Sequence, residues 1–81
     1  MKVVVRCFAG ARERTGSATV TVILTEGATV GDLRRCLSAD YPGLAALLER
    51  SAVAIDEEFA ADSQVLTPNV EVALLPPVSG G

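Results

Sequence analysis

One segment of this sequence has helical periodicity long enough to span a sheet, and strand-like segments flank it in pairs. Thr29 reads as an N-cap, with Asp32 three residues on as a variant capping-box partner. Val30, Leu33, Leu37 and Tyr41 then recur at the spacing of one helix face, with Cys36 beside them and Arg34, Arg35 and Asp40 off the stripe. Pro42-Gly43 stops that helix. Residues 44–50 add one or two further turns, with Leu44, Leu47 and Leu48 as the apolar side.

On either side of the helix the period is two. Residues 2–8 alternate, with Val3, Val5 and Cys7 on one face and Lys2, Val4, Arg6 and Phe8 on the other. Residues 18–24 form a second strand, Val20 and Val22 in register, and the two predict an antiparallel hairpin. Its connection, residues 9–16, reads as a polar, Gly-bounded loop. After the helix, Val53-Ala54-Ile55 is a short strand leading into Asp56-Glu57-Glu58 and Phe59. Residues 60–69 read mostly as loop, with Pro68-Asn69 a turn because Pro presets φ and Asn tolerates the left-handed region. The last strand sets Val70, Val72 and Leu74 against Glu71, Ala73 and Leu75.

The order β-β-α-β-β in 81 residues predicts an α+β fold, a single mixed sheet with one main helix across it. The β-grasp, or ubiquitin-like, roll is the economical arrangement, since one helix then covers the inner face of every strand. Residues 1–75 make up that domain, and residues 76–81 an extended C-terminal Gly-Gly tail.

Composition narrows the chemistry. At 49% hydrophobic and 21% charged residues, the chain is too apolar to be disordered and long enough for one small domain. No His is present, which excludes a Ser-His triad, a His base and any His-ligated metal. Cys7 and Cys36 are too few for a four-thiolate zinc site and too far apart for a CxxC motif. Glu13, Asp56-Glu57-Glu58 and Asp62 lack EF-hand spacing, so a solvated acidic rim is expected and no metal site. A formal net charge of −3 with scattered cations leaves no footprint for nucleic acid. Arg6 interrupts the N-terminal apolar run, and the later runs are strand-sized, which predicts a cytoplasmic protein without a membrane span. In that reducing setting the two thiols read as small buried hydrophobes.

The ending Pro76-Pro77-Val78-Ser79-Gly80-Gly81 is the informative feature. Two glycines without Cβ atoms fit a channel too narrow for other residues. Two prolines forbid a helical return and favour an extended arm. From Leu75 to Gly81 the reach is up to about 20 Å at roughly 3.3–3.6 Å per residue. The α-carboxyl at its tip, with a pKa of about 3.3–3.7, is ionised and a poor electrophile at neutral pH. It reacts only once a partner activates it, for instance by adenylation from ATP.

The run from Glu71 to this Pro-Pro-Val-Ser-Gly-Gly ending, with Phe8-Ala9, Arg12-Glu13, Gly16, Thr29-Val30, Leu33, Tyr41-Pro42 and Val53-Ala54-Ile55, resembles the MoaD family. These are the small, sulfur-carrier subunits of molybdopterin synthase, within the wider MoaD/ThiS ubiquitin-like family. The resemblance covers nearly the whole chain. Asp56 stands where that family usually carries Asn, and Pro68-Asn69-Val70 where Asp-Gly-Asp is typical.

The resemblance implies a division of labour. A ubiquitin-activating-type (MoeB-like) adenylyltransferase uses ATP to adenylate Gly81, and sulfur then gives a thiocarboxylate. Gly80 and Gly81 form the reactive end. The tail enters a MoaE-like large subunit of a heterotetrameric synthase, which supplies the catalytic side chains and receives the sulfur for the molybdopterin dithiolene. The chain itself binds no cofactor. Strand parity adds a docking patch: Phe8 and Leu75 fall on the face opposite the core residues, and Phe59 is the only other Phe. Pro76, Pro77, Val78 and Ser79 continue the contact, with Arg12 as a rim charge. Sister carriers that deliver sulfur for thiamine thiazole or cysteine, a ubiquitin-like protein modifier, and a plain β-grasp interaction module are the alternatives.

Overall fold

A computed structural model describes residues 1–76 of the chain. The alternation of Val3, Val5 and Cys7 becomes β1 (Lys2–Cys7), and that of Val20 and Val22 becomes β2 (Thr19–Ile23). They pair antiparallel, with Val3 opposite Val22 and Val5 opposite Val20. β3 (Ala52–Ile55), β4 (Glu58–Ala60) and β5 (Glu71–Leu75) complete one sheet in the order β2-β1-β5-β3-β4. β1 and β5 run parallel at the centre, and every other pair is antiparallel. The expected mixed, ubiquitin-like roll is the observed fold.

The inner face carries Val3, Val5, Cys7, Val20, Val22, Val53, Val72 and Leu74, all buried. Across it lies α2 (Val30–Asp40), which buries Val30, Leu33 and Leu37 while Cys36 and Tyr41 remain half-buried. A single 3₁₀ turn, Pro42–Leu44, and α3 (Ala45–Arg50) add Leu44 and Leu48 to the same core.

The capping box of α2 is complete. The Asp32 N–H donates to the Thr29 hydroxyl at 3.2 Å, and the Thr29 N–H donates to the Asp32 carboxylate at 2.9 Å. The Thr29 N–H, and after it the Arg35 guanidinium, hold the Asp32 carboxyl below its usual range. That contribution to stability is therefore present above the unfolded carboxyl's pKa and fades as pH falls through the lower folded value. Thr29→Ala should cost about 0.5–2 kcal/mol in urea unfolding, the usual worth of an N-cap.

Two elements depart from the sequence reading. Residues 9–16, expected as loop, contain α1 (Ala9–Thr15). It buries only Ala11, so no apolar period marks it, and it closes on Gly16 at φ 75°, whose N–H donates to the Arg12 carbonyl. β4 was not expected as a strand. Asp56 and Glu57 both take left-handed φ, 49° and 71°, in the two-residue turn that joins β3 to β4. Asn-Gly is the usual signal for such a turn, and Asp-Glu gives none. Asp56 is pinned twice to β5: its N–H donates to the Glu71 carbonyl at 2.9 Å, and its carboxylate accepts from the Glu71 N–H at 3.1 Å. An Asn at position 56 would accept equally well, so this departure from the MoaD pattern leaves the turn's bonding intact. Asn69, at φ 67°, takes the left-handed position of the turn before β5.

Residues 61–70 are irregular but anchored. Val30 donates to Gln64, Gly31 to Asp62 and Leu66 to Ala28, each at 2.8–2.9 Å, and Leu66 is buried beneath the entry to α2. No helix among the described residues is long and apolar enough to cross a membrane.

Candidate functional site

All three helices and the core use one side of the sheet, which leaves the other face open. Cross-strand register defines that outer face row by row. Thr19, Arg6, Ala73, Ala54 and Phe59 are successive partners across β2, β1, β5, β3 and β4. One row along the strands, Leu75 pairs with Ala52. Because β1 and β5 are parallel, with Cys7 beside Leu74, Phe8 follows at the same end of the sheet as Leu75.

The middle of this face is small. Ala52, Ala54 and Ala73 form a low floor, and Phe8, Leu75 and Phe59 rise around it. Phe59 is 79% exposed on the edge strand, and Phe8 37% exposed. Sequence parity assigns Phe8 and Leu75 each to the outer face, and the parallel pairing of β1 and β5 brings them to the same end of it. Phe59 joins them through β4, opposite Ala54. Val4, 45% exposed on the same face of β1, belongs with this surface. Its parity with Arg6 and Phe8 is visible in the sequence.

Arg6 organises the patch. Its guanidinium donates to the Glu71 carboxylate at 2.9 Å and lies 5.4 Å from the centroid of the Phe8 ring. Both members of the ion pair are more than half exposed, so it contributes about 0–1 kcal/mol to stability. Its effect is positional: the same cation faces Phe8 and bridges β1 to β5.

Arg12 stands apart from these rows. It is exposed on α1, which packs against the Pro42–Leu44 turn on the helical side. Pro76 is exposed where the chain leaves β5. Pro77, Val78, Ser79, Gly80 and Gly81, the remainder of the tail reading, lie outside the described residues.

The other reactive side chains are quiet. Cys7 is buried, and burial pushes its thiol up against a smaller opposing effect of Thr15. Cys36 is only half-buried rather than a core hydrophobe, and partial burial followed by the nearby Asp40 carboxylate also raises its thiol. Both are therefore poor thiolates. A cleft of about 240 Å³ between α2 and α3, and one of about 200 Å³ beside Phe59, are smaller than ordinary small-molecule sites.

Fold and surface together define a class: a ubiquitin-like β-grasp domain with an open outer face beside the exit of its last strand. The chain belongs to the ThiS family, which matches residues 5–81. A molybdopterin synthase sulfur carrier subunit of Arabidopsis thaliana is 32% identical over 81 residues, covering 100% of this chain and 84% of that protein. The crystal structure of SAMP1, a small archaeal modifier protein of Haloferax volcanii, superposes with a TM-score of 0.86 at 32% identity over 100% of both chains. A complex of subunits 1 and 2 of the molybdopterin-converting factor of Helicobacter pylori contains a chain that superposes with a TM-score of 0.71. That chain is 26% identical, with 100% of both chains covered.

Proposed function

We propose that this chain is the sulfur-carrier subunit of a molybdopterin synthase, and that the Gly81 carboxyl is its reactive group. The observation that carries the reading is the alignment, across the whole chain, with a curated molybdopterin synthase sulfur carrier subunit. The sequence Gly80-Gly81 within a ThiS match that runs to residue 81 supports the same assignment.

The chemistry follows from what a carboxylate lacks. It is ionised and resonance-stabilised, so a MoeB-like adenylyltransferase must first use ATP to make it a mixed anhydride with AMP. Sulfur then replaces the adenylate, and AMP carries away the bonding electron pair. The resulting thiocarboxylate is softer and more nucleophilic than the carboxylate. The tail carries it into a MoaE-like large subunit, whose side chains transfer the sulfur to the pterin precursor. Phe8, Leu75 and Phe59 dock the domain, and Pro76, Pro77, Val78 and Ser79 continue the contact. The converting-factor complex that contains a chain of this fold supports a large-subunit partner.

Phe8→Asp tests the docking part. It places a charge at the patch beside the tail, and binding to a molybdopterin synthase large subunit should weaken more than about tenfold in titration calorimetry. Unchanged affinity contradicts the assignment of the patch. The assay also discriminates among acceptors: a loaded chain that sulfurates a thiazole or cysteine-forming system, and not the pterin precursor, belongs to a sister carrier. The whole-chain match to SAMP1 favours protein modification as the second reading, and that reading predicts adducts on lysines of other proteins.

A further inference from the structure

The chain contains seven basic residues, and only Lys2 is a lysine. Arg6, Arg12, Arg14, Arg34, Arg35 and Arg50 carry guanidinium groups, which stay protonated and delocalised and do not attack an acyl carbon. An activated carboxyl therefore finds a single side-chain amine on another copy of this protein. That amine is accessible. Lys2 is exposed at the start of β1, its cross-strand partner is the apolar Ile23, and it enters no ion pair among the described residues. The Met1 ammonium, in contrast, donates to the Leu24 carbonyl in a half-buried contact. The hydroxyls are weaker nucleophiles than an amine, the Cys7 thiol is buried, and the Cys36 thiol is half-buried beside the Asp40 carboxylate.

We propose that Lys2 is the one site at which this chain accepts acylation, and that the donor is the activated Gly81 of a second copy. The proposal rests on the reading of Gly81 as an adenylated carboxyl. The ε-amine attacks the carbonyl carbon of the acyl adenylate, a C–N bond forms, and the C–O bond to the adenylate phosphate breaks. AMP leaves with the electron pair, and the nitrogen releases its proton to solvent. No oxidant or reductant is required.

The sheet geometry favours an intermolecular linkage. Val4 pairs with Glu71 in the parallel β1–β5 register, so Lys2 lies level with residue 69, six residues before Leu75. At about 3.3 Å per residue that places the acceptor roughly 20 Å behind the exit of β5. Six tail residues span at most about 20–22 Å, and the strand direction leads away from Lys2, so the tail would need its whole length just to double back. Donor and acceptor at opposite ends of one domain instead give a head-to-tail arrangement, which adds copies in a line or closes them into a ring.

The test incubates the chain with ATP and a MoeB-like adenylyltransferase, without a sulfur source. It follows pyrophosphate release, intact mass and the mapped junction peptide. The expected product is a covalent dimer one water lighter than two chains, joined Gly81 to Lys2. Lys2→Arg should reduce that dimer to background while pyrophosphate release is unchanged. A dimer that survives Lys2→Arg, a junction at the Met1 amine, or pyrophosphate release with no dimer overturns the proposal alone. Absence of pyrophosphate release overturns the activated-carboxyl reading as well.

Discussion

Deletion of Gly81 is expected to abolish sulfur transfer while leaving the fold unchanged. The two halves of that result have separate physical causes. The buried apolar residues among those described run from Val3 to Leu74, and a glycine has no side chain to add to them. Stability in urea should therefore stay within about 0.5 kcal/mol of the parent, as for substitutions outside a core. Transfer is a matter of reach. Removing one residue withdraws the terminal carboxyl by about 3.3–3.6 Å. A misplacement of 1 Å costs on the order of 100-fold in rate, so the loss should exceed 100-fold in a reconstituted assay with the large subunit. A truncated chain that transfers sulfur at the parent rate would remove Gly81 from the chemistry.

The converse result is expected for Leu33→Ala. Leu33 is fully buried in the first turn of α2, the helix that crosses the inner face of the sheet. Truncating a packed leucine removes its transfer free energy and leaves a cavity, together worth about 2–5 kcal/mol. At roughly 0.05–0.15 kcal/mol per residue, an 81-residue domain has a total stability on the order of 4–12 kcal/mol. One substitution should therefore consume a large share of it. Urea unfolding should show a much lower midpoint at unchanged slope. A loss below about 1 kcal/mol would mean that α2 is not the cover on which the sheet depends.

Leu33 belongs to the part of the molecule that was legible in the sequence, and other elements were not legible there. The strands with clean alternation, around Val3-Val5-Cys7, Val20-Val22 and Val72-Leu74, were visible because each has one buried face. α2 was visible because its stripe and its capping box agree. α1 was hidden because a seven-residue helix that buries only Ala11 has no period to detect. β4 was hidden because three residues cannot display alternation, and because Asp56-Glu57 adopts left-handed backbone without a glycine to announce it. Leu66 could not be read as core from a polar stretch; its burial follows from backbone bonds to the start of α2.

The candidate site divides in the same way. Phe8 and Leu75 could be assigned to the outer face from parity within their own strands. Their adjacency requires the parallel pairing of β1 and β5, and the position of Phe59 requires β4. Both are long-range facts. The absence of His and the scarcity of lysine, in contrast, are visible only as composition, and they bear directly on chemistry. The first excludes catalysis by an imidazole, and the second leaves a single side-chain amine.

If this domain carries sulfur on Gly81, intact mass spectrometry should detect it. The full chain is incubated with ATP, a sulfide source and a MoeB-like adenylyltransferase, and its mass is compared before and after. The expected result is an increase equal to the exchange of one oxygen for one sulfur, with fragmentation placing it on Gly81. An unchanged mass, under conditions where the enzyme converts a known carrier, would contradict it.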